Sequence, residues 1–191
     1  TMNINKRSLA LDIKTEQGKA ILFDLIKKAD AILHNFRAGV VDRLGLDYES
    51  VKKVNPSIIY TVISGFGSKG PKAADPAYDG AIQAASGMMA NNGTEESGPL
   101  RTGYMGVDLM TGMSAAYATS AALLRKQRTG EGQMVDVAML DCAIVLQAAN
   151  FARHVVDGVP DMLIGNQSIT GAPTASSFST KQGSMLSAAL M

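Results

Sequence analysis

Ile58-Ile59-Tyr60-Thr61-Val62-Ile63 is a run of β-branched and aromatic residues set just behind a stop at Asn55-Pro56. Such a run fits a buried strand, because branched and ring side chains pack well on a pleated surface. Upstream, Ala31-Ile32-Leu33-His34 is a second, shorter strand candidate. Between the two lie two short helical patterns, one through Val40, Val41 and Leu44 and one over 48–54. Further back, Thr15 and Glu16 open a helix expected over 17–28, with Ala20, Ile21, Leu25 and Ile26 on one face. Residues 8–13 alternate briefly and predict a first strand. Strand, helix, strand, helix, strand at this spacing predicts an α/β fold with a parallel sheet and right-handed crossovers. Ligands of such sheets sit beyond the carboxyl ends of the strands, which singles out the loops after Ile13, His34 and Ile63.

The loop after Ile63 holds Gly65-Phe66-Gly67-Ser68-Lys69-Gly70, the literal spacing of a dinucleotide fingerprint. That fingerprint works only when it leads straight into a helix whose N-terminus faces a pyrophosphate. Here Pro71 and Ala74-Asp75-Pro76 follow instead, so the glycines predict an irregular turn beside a ligand pocket rather than a nucleotide cradle. A helix through Ile82 and Gln83 is expected to end at Gly87, followed by a polar loop over 91–99.

Then comes Arg101-Thr-Gly-Tyr-Met-Gly-Val-Asp108-Leu-Met-Thr-Gly112, running into a long helix rich in small residues and closed by Arg125, Lys126, Arg128 and Gly130. An aspartate at a helix start commonly caps free backbone N–H groups. Asp108 has a second reading: a carboxylate kept ionised by those N–H groups, beside glycines that admit a substrate, is suited to attack an activated acyl carbon. Past it, residues 133–139 predict another strand and 141–156 one helix, and from Gly158 the text turns loop-like. The run over 184–191 reads as a strand that stops abruptly, and both ends are expected to be truncations of a longer chain.

Composition bounds the partners. At 46% hydrophobic and 18% charged, the 191 residues predict a folded chain. A net charge of +1 supplies no basic field for nucleic acid, so an anionic ligand must meet a local cluster of cations. One cysteine, Cys142, rules out an intrachain disulfide, and His34 and His154 have no metal-ligand spacing around them, so no metal is expected. The most apolar helix, 109–124, is too short and too rich in Ala, Ser and Thr to cross a bilayer easily, which predicts no membrane partner and a cytoplasmic protein.

Six local signatures then coincide in order. They are Asn5-Lys-Arg-Ser-Leu-Ala-Leu-Asp12, Asn35-Phe-Arg-Ala-Gly39 with Arg43-Leu-Gly45, and Asn55-Pro56 leading to Ile63-Ser-Gly-Phe-Gly67. Tyr78-Asp79 with Gln83-Ala-Ala-Ser-Gly87, Asp108-Leu-Met-Thr-Gly112, and Arg128-Thr-Gly-Glu-Gly-Gln133 with Asp136-Val-Ala-Met139 complete the set. In this register the chain resembles the family III CoA-transferases, the CaiB/BaiF group that includes formyl-CoA transferase, from Asn5 to about Lys181.

The resemblance implies a Rossmann-like parallel sheet domain of the CaiB/BaiF fold, truncated at both ends. Residues 1–157 would be the large CoA-binding and catalytic domain, and 158–191 a linker and the start of the smaller one. It implies an interlocked homodimer when full length, acyl-CoA and a small carboxylic acid as partners, and coenzyme A as co-substrate. Catalysis falls on Asp108, through covalent aspartyl intermediates. The CoA site falls on Leu11, Lys14, Asn35, Phe36, Val40, Arg43, Tyr78 and Met139. Chemistry agrees at several of these: Lys14 and Arg43 follow two of the three expected strand ends, where phosphates need cations, and Phe36 offers a surface for adenine. Backbone N–H groups near Asp108 and in the loop after Ile63 are candidate oxyanion donors. Tyr104, Met105, Met88 and Met89 are candidates for shaping the acceptor pocket, although Met commonly fills cores. The formyl-CoA branch carries a lysine where this chain has Pro76, which implies a different substrate choice.

Two other readings compete. An α-methylacyl-CoA racemase of the same fold would carry a His-Asp pair where this chain has Tyr78-Asp79. A tyrosine of ordinary pKa near 10 is a poor base at neutral pH, costing roughly 4 kcal/mol to ionise. The other is a catalytically silent fragment that only binds a partner chain.

Overall fold

A computed structural model describes residues 3–160, 162–169, 171, 172, 174–183 and 185–188. Helix α1 (Glu16–Ile26), strand β1 (Ala31–His34), helices α2 (Val40–Leu44) and α3 (Tyr48–Val54) and strand β2 (Ile59–Ser64) follow one another. Next come α4 (Asp79–Ala85), a 3-10 turn at Met88–Asn91, the long α5 (Gly106–Thr129) and β3 (Gln133–Ala138). Helices α6 (Met139–Leu146) and α7 (Ala148–Asp157) and the hairpin β4 (Ser176–Ser179) and β5 (Met185–Ala188) complete the order. These elements fall into two compact units. The first joins the residues up to Ser64 to Ala115–Asp136, and the second joins Gly65–Ser114 to the residues from Val137 onward.

In the first unit the sheet order is β1-β2-β3, with β1 and β2 parallel in the register Ala31↔Ile59 to His34↔Val62. The two strands expected at 31–34 and 58–63 are therefore neighbours, as the βαβ spacing predicts. The strand expected over 8–13 is absent, and that segment carries no sheet pairing. Leu9 is exposed there, and Asp12 instead builds a turn: its carboxylate accepts from the Lys14 N–H (3.0 Å) and its carbonyl from the Thr15 hydroxyl (2.8 Å). Gly18 is what lets α1 lie against that turn, since a Cβ there would sit 1.9 Å from the Asp12 carbonyl oxygen.

Thr15 caps α1 as expected, its hydroxyl accepting from the Gly18 N–H at 3.0 Å. Of the expected inward face, Ile26 is buried and the rest is not. Ile21 and Leu25 are exposed, whereas Ile26, Leu22 and Phe23 pack with Leu46, Val51, Ile58 and Tyr60. Asn55, read as a stop, also closes the end of α1, because its amide donates to the carbonyls of Ile26 and Ala29, both at 2.9 Å. The Ile26 carbonyl also accepts from the Ala29 N–H at 3.2 Å, so Asn55 adds a second bond there and ties down the chain just past the helix end. Asn55→Ala is expected to cost about 1–3 kcal/mol, since it removes the amide from the Ala29 carbonyl and one of two donors from the Ile26 carbonyl. A shift of the urea midpoint at unchanged m-value would report it, and a change below about 0.5 kcal/mol would mean that solvent replaces the amide.

Tyr60 anchors the far side. Its hydroxyl donates to the Leu46 carbonyl (2.5 Å) and lies 3.0 Å from His34 Nε2. Burial first, then the carboxylates of Asp47 and Asp42, push this phenol up to about 12. With the phenol proton given to Leu46, His34 must donate through Nε2, and its Nδ1 is left to accept from the Phe36 N–H at 3.2 Å. The neutral tautomer so defined fits the downward push that burial exerts on His34, and it pins the turn leaving β1.

The second unit has its own core of Ile82, Val107, Met139 and Ala143, with Phe66, Ala77 and Leu140 packed on it. The Gly65-to-Gly70 loop is an irregular turn with left-handed Gly67 and Gly70, and no helix follows it until Asp79. Gly65 is required by closeness: a Cβ there would fall 2.2 Å from that of Ala77. The single helix expected over 141–156 is two, broken at Gln147. Gln147 leaves helical geometry and sends its amide to the Ser86 carbonyl at 2.8 Å, a tertiary bond that no glycine or proline announces. β4 and β5 pair antiparallel, so the strand expected in 184–191 is found at Met185–Ala188, and the remainder of that stretch lies outside the described residues.

Candidate active site

Helix α5 begins at Gly106, which puts Asp108 in its first turn. The preceding Gly103, Tyr104 and Met105 offer no capping side chain, so the first-turn N–H groups must be met from elsewhere. They are met by Asp79, from the start of α4. Its Oδ2 accepts from the N–H groups of Val107 (2.9 Å) and Asp108 (3.0 Å). Its Oδ1 accepts from Gln83 Nε2 at 2.5 Å. Gln83 is wholly buried and makes a two-way pair with Thr102, donating to the hydroxyl (2.8 Å) and accepting from the N–H (2.9 Å). Thr102 in turn donates to the Tyr104 carbonyl at 2.8 Å. One chain of bonds thus runs from the loop before α5 through α4 to the first turn of α5.

This arrangement corrects one expectation. The amides read as holding Asp108 ionised belong to Asp79. The Asp108 carboxylate is exposed and receives no hydrogen bond among the described residues. Partial desolvation first, and the neighbouring Asp79 carboxylate second, push its pKa above the usual carboxylate value. A carboxylate without donors and with raised basicity is a better nucleophile than a capped one.

Beside the start of α5 lies a cavity of about 210 Å³. Met88, Thr102, Tyr104 and Gly106 line one part of it, and the carboxamides of Asn91, Gln147 and Asn150 another. These amides are linked, Asn150 Nδ2 donating to Asn91 Oδ1 at 2.6 Å. Tyr104 and Met88, two of the four residues expected to shape an acceptor pocket, line this cavity; Met105 and Met89 do not, and neither does Asp108.

Of the residues expected to bind CoA, six fall in the first unit. Asn35 and Phe36 leave the carboxyl end of β1, with the Phe36 ring half-exposed and stacked on His34 at 5.7 Å between centroids. Val40 opens α2 and Arg43 lies near its end, the guanidinium reaching back over Gly39. Leu11 and exposed Lys14 sit in the turn before α1. The second unit holds Tyr78, exposed at the N-cap of α4, and Met139, which opens α6 and is buried in the core. Among the described residues no three His, Cys, Asp or Glu side chains gather as a metal site, and no helix is long and apolar enough to cross a membrane.

The roles of Asp79 and Gln83 escape a reading of the sequence, as do those of the amides at 91, 147 and 150. The signals for Asp79 are its place in one of the six signatures, which does not give its role, and the missing local cap before Gly106.

Known proteins resemble this chain closely. A succinate–glutarate CoA-transferase of Agrobacterium fabrum is 37% identical over 164 residues, which cover 86% of this chain and 41% of that protein. A formyl-CoA:oxalate CoA-transferase of Streptomyces coelicolor is 44% identical over 138 residues, 72% of this chain and 33% of that protein. The crystal structure of a CAIB/BAIF family protein from Brucella suis superposes with a TM-score of 0.84 at 36% identity, covering 93% of this chain and 47% of that one. This chain therefore spans less than half the length of these relatives. The profile of CoA-transferase family III matches residues 1–191, and the chain belongs to that family.

Proposed function

We propose that this chain carries the nucleophile and part of the CoA site of an enzyme that moves CoA from an acyl-CoA donor to a small free carboxylic acid. The observation that carries the reading is Asp108, an exposed carboxylate in the first turn of a 24-residue helix whose leading amides are already taken. The names of the relatives, with succinate, glutarate and oxalate among their acids, support the substrate class.

In this reading Asp108 attacks the thioester carbonyl of the donor, expelling CoA thiolate and leaving a mixed anhydride. The thiolate adds to the aspartyl carbonyl and releases the donor's carboxylate, so that Asp108 holds CoA as a thioester. The acceptor carboxylate displaces the thiolate to form a second anhydride, and the thiolate then takes the acceptor's acyl group and frees Asp108. Every step keeps one acyl carbon activated, which is what makes exchange between two poor partners feasible. Lys14 and Arg43 would meet the CoA phosphates, Phe36 the adenine, and Leu11, Asn35, Val40, Tyr78 and Met139 the rest of the CoA. Residues 1–157 would form the large domain and 158–191 the way into the smaller one, within an interlocked homodimer in the cytoplasm.

The test separates transfer from racemisation. A 2-methylacyl-CoA incubated with the protein in heavy water is expected to keep its α-proton while an added acid acquires CoA, because the chemistry stays at the carbonyl. Rapid deuterium uptake without CoA exchange would instead make the protein a racemase.

A further inference from the structure

Resting on the reading of Asp108 as nucleophile, we infer that Asp79 is its positioning residue: by occupying the first-turn amides of α5 it leaves the Asp108 carboxylate uncapped, aimed outward and available. A helix N-terminus attracts the nearest carboxylate, and the nearest in sequence is Asp108 itself. Folded back on those N–H groups, Asp108 would be stabilised as an anion, and its oxygens would be committed to hydrogen bonds that an attack on an acyl carbon must break. Asp79 pre-empts that state. Its Oδ2 takes the N–H groups of Val107 and Asp108, and Gln83 fixes the other oxygen.

The fixing is itself over-determined. Gln83 is buried, and both ends of its amide are used by Thr102 and Asp79, so the carboxylate of Asp79 cannot turn away without leaving a buried donor unpaired. The Val107 side chain, next to the amide that Asp79 holds, lies in the core with Ile82 and Met139. The start of α5 is therefore clamped on one face by packing and at its end by Asp79. A second anionic charge beside Asp108 also disfavours its ionisation and raises its basicity. Among the described residues the other titratable groups on the flanking segments are Arg101, whose guanidinium lies by Gly80 in the first turn of α4, Tyr78 and Tyr104, and α6, which packs on α4, carries exposed Asp141 in its first turn.

The experiment titrates Asp108 directly and alongside activity. Protein carrying 13Cγ-aspartate is titrated by NMR, with the Asp108 resonance assigned by its loss in Asp108→Asn. Asp79→Asn, which keeps volume and one oxygen for the α5 amides but loses the charge and the acceptor for Gln83 Nε2, is expected to lower the Asp108 titration midpoint, with some loss of melting temperature, in a protein that still folds. The acid limb of the kcat/KM profile should move to lower pH with it. Asp79→Ala, which opens the amides to Asp108, is expected to shift the midpoint further and to cut kcat by about 10–100-fold. If Asp79→Ala does not fold, Asp79→Asn carries the test alone. An Asp108 midpoint unchanged in the folded variants, with only stability altered, would make Asp79 a plain structural cap. The NMR readout needs no turnover, so failure of the transferase reading would show separately, as an absence of CoA exchange in the unsubstituted protein.

Discussion

Asp108→Asn is expected to abolish CoA exchange, lowering kcat by about 10⁴-fold or more, as removal of a covalent nucleophile does elsewhere. The amide is nearly isosteric, so it changes the chemistry with little change of shape. It has no anionic oxygen to add to a thioester, and Asp79 still holds the amides of Val107 and residue 108, so the helix start persists. Because the side chain is exposed, no large change in stability accompanies the loss. The unsubstituted protein, given an acyl-CoA and quenched with hydroxylamine, should carry a hydroxamate on the peptide containing Asp108. A label on another peptide, or full activity in Asp108→Asn, would overturn the covalent route.

Arg43→Ala and Lys14→Ala are each expected to weaken CoA binding by roughly 1–3 kcal/mol, the range for a charge-assisted hydrogen bond. Since about 1.4 kcal/mol is tenfold, calorimetric titration should show Kd values raised by about 5- to 150-fold. Both side chains are exposed, and their loss removes no core contact, so circular dichroism and melting should hardly change. The loss should shrink at high salt, where exposed charges are screened. Unchanged affinity in both variants would make these residues solvated charges, and it would leave the Asp108 experiment unaffected.

Much of the fold was legible in the sequence because it is written in local preferences. The branched runs at 31–34 and 58–63 are strands, Thr15 caps a helix, and Gly87 and Gly130 end helices in left-handed geometry. The glycine loop after Ile63 was separable from a nucleotide cradle, because a cradle needs a helix immediately behind it and proline forbids one there. Family membership was legible for a different reason, six short signatures kept in register along one chain.

What the tertiary structure alone decided are the features made by residues distant in sequence. Residues 8–13 alternate well enough for a strand, yet among the described residues no neighbouring strand pairs with them. Gln147 breaks a helix because a carbonyl at Ser86, 61 positions earlier, takes its amide. Asp79 caps a helix that starts 27 residues after it, and so takes the amides expected to hold Asp108 ionised, while partial desolvation first and the Asp79 charge second push the Asp108 pKa up. Spacing and propensity describe what a residue does to its neighbours along the chain. A hydrogen bond across the fold, worth as much as any local cap, has no period and leaves no trace in the text. Asp108 could be singled out from the sequence as a candidate nucleophile, but the reason it stands uncapped lies only in the fold.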